Sequence, residues 1–323
     1  MPEQNHGVAV LDTRPRPADT RAEVLDGLRR PQKTLPSKYF YDERGSRLFD
    51  EITRLPEYYL TRTELDIMTR YVAEMAACLG PRCLLVEYGS GSSLKTRILL
   101  DHLPDVAAYV PVDISRAHLE AAAARLAEEY PGLRILPVCA DYTASFELPD
   151  PGVPFRRVAV YFPGSTIGNF TPEEARAFLE RIAGVAGPGG GLLIGVDLRK
   201  DPAVIEPAYN DARGVTAAFN RNILVHLNRL LGAGFDPEAF AHHAFFNEAE
   251  SRVEMHLVSL KDQCVRLDGE AIPIRRGETI LTEYSYKYTP EAFATLAESA
   301  GFRVERVWTD EARYFSVQYL CVR

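Results

Sequence analysis

The chain has 323 residues, 46% hydrophobic and 25% charged, with a formal net charge of −8 at pH 7, enough for one large domain or two ordinary ones. Its acidic balance argues against a nucleic-acid partner, because phosphate contact needs a basic face. It has no run of about 18 apolar residues to span a membrane, and its first residues lack the basic-then-apolar order of a secretory signal, so the cytoplasm is the expected compartment.

Residues 1–20 read as a polar, mobile tail, with Asp19 or Thr20 capping a helix that runs to about Arg30 on the stripe Val24, Leu25 and Leu28. An irregular, aromatic-rich stretch follows, broken by Pro36 and Pro56. Thr63 to Leu79 then carries Leu65, Met68, Tyr71, Val72 and Met75 at helical spacing. From residue 83 short apolar strands alternate with amphipathic helices. The strands are expected at 83–88, 107–113, 134–139, 157–162 and 191–197, and the helices near 94–103, 115–129 and 172–186. Continuous apolar strands linked by helices predict a parallel sheet covered on both faces. A helix at 290–300 and strands at 302–308 and 314–322 close the chain. The fold class is therefore α/β; five β-α units followed by a closing strand pair resemble the Rossmann-like S-adenosylmethionine-binding sheet of class I methyltransferases, an analogy of fold that does not name a reaction.

An insertion at 198–289 contains a long helix near 214–235 and at least two strands. In one, Val253, Met255 and Leu257 alternate with Arg252, Glu254 and His256. In the other, Glu283, Ser285 and Lys287 share a face opposite Tyr284, Tyr286 and Tyr288. The expected organisation is 1–62 as an N-terminal part of a substrate-binding lobe, 63–197 as core, 198–289 completing the lobe and 290–323 returning to the core. Five scattered cysteines without a CxxC pair predict reduced thiols. Seven histidines without HxxxH or HExxH spacing predict no bound metal. His242 and His243 are neighbours that face different ways.

The first core strand runs into Glu87-Tyr88-Gly89-Ser90-Gly91-Ser92-Ser93, and a helix follows. Small residues let a ligand approach the backbone, and the helix start offers free N–H groups to an anion, with Lys95 beside it. GxG alone also suits a dinucleotide, but Leu94 replaces the third glycine of that fingerprint. Asp113 ends the second strand, where an acid can hold ribose hydroxyls. Asp141 and Tyr142 follow the third, placed for an adenine amino group and ring. Each acid alone would also suit a helix cap; in order along one sheet edge they point to a cofactor.

More distinctive are Leu35-Pro36-Ser37-Lys38-Tyr39-Phe40-Tyr41-Asp42, Leu55-Pro56-Glu57-Tyr58-Tyr59 and Gly164-Ser165-Thr166-Ile167-Gly168-Asn169. With Gly214-Val215-Thr216-Ala217-Ala218-Phe219-Asn220 and the pair Glu283 and Ser285, these motifs resemble the histidine Nα-methyltransferases of ergothioneine biosynthesis, from about residue 22 to the C-terminus. The resemblance implies S-adenosylmethionine as cofactor at Gly89, Lys95, Asp113, Asp141 and Tyr142. It implies Asn169 and Tyr209 on the amino acid carboxylate, Tyr58, Glu283 and Ser285 on the imidazole, and Met255 lining its pocket. Gly164 and Tyr41 are implied near the amine that receives the methyl group. Tyr88 and Tyr142 depart mildly from the family's expected apolar or aromatic residues. Taken singly, Asn169 also reads as a turn residue, the tyrosines and Met255 as packing, and Glu283 with Ser285 as a polar row on an edge strand.

The chemistry is coherent with those residue types. Methyl transfer from a sulfonium is an in-line displacement, so catalysis is chiefly alignment of a neutral amine, and no covalent nucleophile is required. Tyr41 is suited to orient that amine or relay its proton. The expected reaction converts L-histidine to its Nα-trimethyl betaine, hercynine, in three transfers. The partner is a small molecule, with no nucleic acid or membrane, and the protein is expected as a monomer. The alternatives are methylation of another amino acid such as tryptophan or of a small amine, and a non-catalytic cofactor-binding regulator.

Overall fold

The computed structural model describes residues 10–13, 17–91, 94–103, 105–144 and 146–323. Ser92 and Ser93 of the glycine turn, and 1–9 and 14–16 of the expected tail, lie outside these. In chain order the first strands are β1 (Leu11–Asp12), β2 (Lys33–Thr34), β3 (Cys83–Tyr88), β4 (Ala108–Asp113), β5 (Val138–Cys139), β6 (Arg157–Phe162) and β7 (Gly191–Asp197). The later ones are β8 (Phe240–Asn247), β9 (Arg252–Ser259), β10 (Gln263–Leu267), β11 (Glu270–Ile274), β12 (Thr279–Tyr286), β13 (Phe302–Thr309) and β14 (Phe315–Val322).

The main sheet has the order β1-β5-β4-β3-β6-β7-β14-β13. Strands β3 to β7 pair in parallel, while β14 runs antiparallel to β7 and β13. The interior strands are apolar throughout because both faces are covered: every residue of β3 and β7 is buried. The strand order reverses at β3, which has β4 on one side and β6 on the other. Open α/β sheets bind ligands at the carboxyl ends of the strands beside such a reversal.

Among the described residues, helices α1 (Pro17–Arg29), α2 (Glu43–Ile52), α3 (Tyr59–Leu79), α4 (Leu94–Leu100), α5 (Arg116–Glu129), α6 (Pro172–Ala186), α7 (Pro202–Ile205), α8 (Val215–Leu231) and α9 (Pro290–Ser299) complete the regular structure with four short 3₁₀ turns. A second sheet, β2-β12-β9-β8, stands beyond the carboxyl ends of the first, and β10 and β11 form a separate antiparallel pair. Asn220, the last residue of the GVTAAFN motif, ties α8 to this sheet. Its amide donates to His242 Nδ1 at 2.9 Å and to the His256 carbonyl at 3.1 Å, while the Thr282 hydroxyl donates back at 2.7 Å.

Several sequence expectations need correction. The strand expected at 134–139 contracts to β5, with one further bridge from Ile135 to Tyr109, because Pro137 carries no N–H for a ladder. The irregular stretch before residue 63 contains α2, which fits between its two prolines. Asp42 caps that helix, accepting from the Gly45 N–H at 2.7 Å. Within the expected tail, β1 extends the main sheet by pairing in parallel with β5, and α1 begins at Pro17 rather than at a cap on Asp19 or Thr20. Alternation along β9 does not divide buried from exposed. Glu254 and His256 are buried too, with Glu254 paired to Arg252 at 2.8 Å and to His256 Nε2 at 3.1 Å.

Candidate active site

Two turns at the carboxyl ends of β3 and β6 define the site. After β3, Gly89 and Gly91 take positive φ (75° and 45°), and among the described residues only the Tyr142 ring lies within 4 Å of where a Gly89 side chain would start. A ligand can therefore lie against this backbone. The Ser90 hydroxyl is buried without a hydrogen-bond partner among the described residues, a polar atom left for a ligand to satisfy. Asp113 ends β4 and accepts from the Ser115 N–H at 2.9 Å. Burial raises its carboxyl above the usual range against the pull of neighbouring N–H groups.

Asp141 follows β5. Its carboxylate accepts from the Thr143 N–H at 2.9 Å, from the Thr143 hydroxyl and from Lys38 at 2.8 Å. Burial would raise it, but Lys38 and Thr143 hold it below its ordinary range. A carboxylate has about four acceptor positions, so one stays open beside Lys38. The Tyr142 ring stacks on Tyr88 at 5.7 Å and 5°. The two residues that depart from the family pattern are thus in contact with each other. Together the bare glycine backbone, the unsatisfied serine and the acids at successive strand ends suit the methionine, ribose and adenine parts of S-adenosylmethionine.

After β6, Gly164 (φ 80°) and Ser165 (φ 58°) both adopt left-handed backbone. For serine this conformation costs about 1–3 kcal/mol and persists where surrounding contacts enforce it. Here the Asp197 N–H donates to the Ser165 hydroxyl at 2.8 Å, and the Gly164 N–H donates to Glu64 at 3.0 Å. Glu64 also forms an ion pair with Lys95. One carboxylate from α3 therefore ties the β6 turn to the start of α4. Sequence reasoning missed Glu64, since an acid on an amphipathic helix reads as its wet face.

Beyond this turn lies a recess with about 520 Å³ of free space, its open mouth included. Tyr41, Tyr58, Gly164, Asn169, Tyr209, Met255, Glu283 and Ser285 all line it, as do Phe49, Thr216 and Phe219. The eight expected residues arrive from well-separated segments. Tyr41 and Tyr58 flank α2, and Tyr41 meets the Phe219 ring edge-on at 5.7 Å. Asn169 ends a 3₁₀ turn whose Gly168 lies so close to β12 that a Cβ there would sit 2.7 Å from the Tyr286 carbonyl. That contact delivers Asn169 to Glu283, Nδ2 to Oε2 at 3.4 Å. The Tyr209 hydroxyl donates to Ser285 Oγ at 2.8 Å.

Electrostatics distinguish these groups. Burial pushes the Glu283 carboxyl up to about 7, although Lys287 pulls the other way. Burial also raises the hydroxyls of Tyr41, Tyr58 and Tyr209 well above the usual phenol range, so they stay protonated. Under the floor of the recess Asp197, at the end of β7, pairs with Lys200 at 2.7 Å and Lys287 at 2.8 Å. Asp197 was missed, although an acid at a strand's carboxyl end carries the same signal as Asp113.

A glycine turn, strand-end acids and an adjoining recess on this sheet are the features of a class I S-adenosylmethionine-dependent methyltransferase. A crystal structure of such an enzyme from Clostridium acetobutylicum matches the fold with a TM-score of 0.50 and 12% identity, covering 86% of this chain and 98% of that one. The model of the histidine-specific, S-adenosylmethionine-dependent methyltransferases matches residues 20–322, and the chain belongs to that family. It is 46% identical over 304 residues to the histidine N-alpha-methyltransferase of Mycobacterium tuberculosis, covering 92% of this chain and 93% of that protein. It is 32% identical over 295 residues to ergothioneine biosynthesis protein 1 of Neurospora crassa, covering 86% of this chain and 32% of that longer protein.

Proposed function

We propose that this enzyme trimethylates the α-amine of L-histidine to give hercynine, the entry step of ergothioneine biosynthesis. The observation that carries the reading is the meeting of eight separately encoded residues in one recess beside the glycine turn. Asn169 and Tyr209 hold the carboxylate. Tyr58, Glu283 and Ser285 read the imidazole, and Met255 packs against the ring. Gly164 and Tyr41 flank the amine. Gly89, Lys95, Asp113, Asp141 and Tyr142 hold S-adenosylmethionine, which supplies an electrophilic methyl group on a sulfonium.

The chain's contribution is alignment of the amine in the recess. A phenol kept protonated by burial suits Tyr41 to orienting the amine rather than removing its proton. The segments 1–62 and 198–289 act together as the substrate lobe, with 63–197 and 290–323 as the cofactor core. The reading is of a monomeric cytoplasmic enzyme with a small-molecule substrate and neither nucleic acid nor membrane as partner. Among the described residues no helix is long and apolar enough to cross a membrane.

The test is competition. Given S-adenosylmethionine and an equimolar mixture of the twenty amino acids, the protein should methylate histidine roughly 100-fold or more faster than tryptophan, because a poorly matched ring leaves buried polar groups unpaired. Equal rates, or a preference for tryptophan, would overturn the substrate assignment.

A further inference from the structure

The recess stands on a cation that alignment of an amine does not by itself require. Lys287 follows β12 directly, and its side chain is 0% exposed. Its Nζ lies 2.8 Å from Asp197 Oδ2, 2.8 Å from the Tyr209 hydroxyl and 2.8 Å from Ser285 Oγ. These contacts use all three N–H bonds of an ammonium, a group with donors and no acceptor. Both hydroxyl oxygens must therefore accept from Lys287. Neither can turn its own proton back toward it. The Tyr209 proton points to Ser285 Oγ, 2.8 Å away, and the Ser285 proton into the recess.

The cation is well compensated, as a buried charge must be. Asp197 also accepts from Lys200 at 2.7 Å and from the Tyr59 hydroxyl at 2.7 Å. Burial would raise the Asp197 carboxyl, but Lys287 and Lys200 together hold it below its ordinary range. This arrangement costs the fold a buried cluster of charges where an apolar floor would have sufficed for packing alone.

We infer that Lys287 is a positioning residue that fixes the hydrogen-bond polarity of the recess: with Lys287 and Tyr209 both donating to its oxygen, Ser285 is left as a donor toward the bound amino acid. An unconstrained serine hydroxyl rotates to serve as donor or acceptor. Backed by Lys287, Ser285 offers a proton, while Glu283, two residues earlier on the strand, offers a carboxylate. That pair matches a neutral imidazole, with one N–H and one bare nitrogen. An imidazolium has two N–H groups and an indole has only one N–H. Either leaves the Ser285 proton facing no acceptor, which is a penalty against the wrong ligand. Tyr209, backed by the same ammonium, gives its proton to Ser285 Oγ and so reinforces that polarity. The inference rests on the proposed seat of the ring between Glu283 and Ser285.

Ring-labelled [15N]histidine bound to the wild-type protein with S-adenosylhomocysteine tests it by NMR. One pyridine-type and one pyrrole-type nitrogen are expected, and Ser285→Ala should move the pyridine-type signal. Two pyrrole-type signals that still respond to Ser285→Ala would overturn the polarity assignment and leave the seat of the ring intact. A spectrum indifferent to both Ser285→Ala and Glu283→Ala would overturn the seat, and the inference with it.

Lys287→Met gives the kinetic counterpart. KM for histidine should rise roughly 10- to 100-fold, the scale of a lost charged hydrogen bond. Affinity for S-adenosylmethionine should stay within about twofold. In a Tyr209→Phe, Ser285→Ala background the same substitution should change KM by less than about threefold. An undiminished effect in that background would mean that Lys287 does not act through those hydroxyls. The wild-type spectrum decides the polarity even if this variant does not fold.

Discussion

Glu283 is asked to be two things, a carboxyl that the fold withdraws from water and an acceptor for a ring N–H in the complex. With its carboxyl pushed up to about 7 by burial, the folded state binds a proton more tightly than the unfolded chain, whose reference is 4.5. The stability it contributes is complete below about pH 4.5 and is lost as pH rises through 7. Glu283→Gln removes that loss. Measured by urea unfolding, the variant should gain about 1–2 kcal/mol on wild type between pH 4.5 and 8, less than the full shift implies because the recess opens to solvent. A pH-independent difference would contradict the burial argument. Glu283→Ala should also weaken histidine binding by about 1.5–3 kcal/mol in calorimetry while leaving the cofactor's affinity unchanged.

At this scale the sequence was legible only in part. Glu283 and Ser285 were visible through strand alternation and a family motif. Glu64 was not, because its partners Lys95 and Gly164 come from elements far away in the chain. Lys287 was placed on the right face, but nothing local revealed that three oxygens converge on it.

Among the elements, the 3₁₀ turn Thr166–Asn169 and strand β12 bear the most on function, since their contact brings Asn169 to Glu283. Gly168 permits that contact. A methyl group there would meet backbone atoms of Tyr286, which cannot swing aside. Gly168→Ala should cost about 1–3 kcal/mol of stability and weaken histidine binding, whereas Gly132→Ala, with nothing within 4 Å, should stay within about 0.5 kcal/mol. Thermal unfolding and calorimetry of the two variants make the comparison, and equal effects would count against the packing argument.

Helix α2 depends on Asp42 in a similar way. That carboxylate caps the helix, accepts from Asn222 of α8 at 2.8 Å and pairs with Arg229. Asp42→Ala should therefore destabilise the protein by about 1–2 kcal/mol in denaturant titration; no loss of stability would contradict the role of the cap. The core strands were readable because uninterrupted apolar runs of six or seven residues admit few other fates. Helix α2 was hidden by its flanking prolines and by a polar sequence whose stability comes from α8. The β10–β11 pair was also unforeseen, being short and half exposed.

At the scale of the molecule, one apolar cluster runs from under the main sheet, through Tyr109, Tyr161 and Leu193, into the second lobe at Phe219, Ile223 and Met255. The recess is set into this shared core, so the carboxyl edge of the main sheet and the floor of the recess hold a fixed relation. Charge sits at the seams as Glu64 with Lys95, Asp141 with Lys38, and Asp197 with Lys200 and Lys287. The α/β core and its ligand-binding edge could be inferred from periodicity. The joining of the lobes through one core could not, because long-range packing leaves no period in a sequence.

The central claim is that this recess presents the α-nitrogen of histidine for repeated methylation. Purified protein incubated with histidine and excess S-adenosylmethionine, followed over time by mass spectrometry, tests it most directly. Products heavier by one, two and three methyl groups should appear, with the trimethyl form accumulating at the end and every methyl on the α-nitrogen. Unmethylated histidine, or methyl groups on the ring, would contradict it.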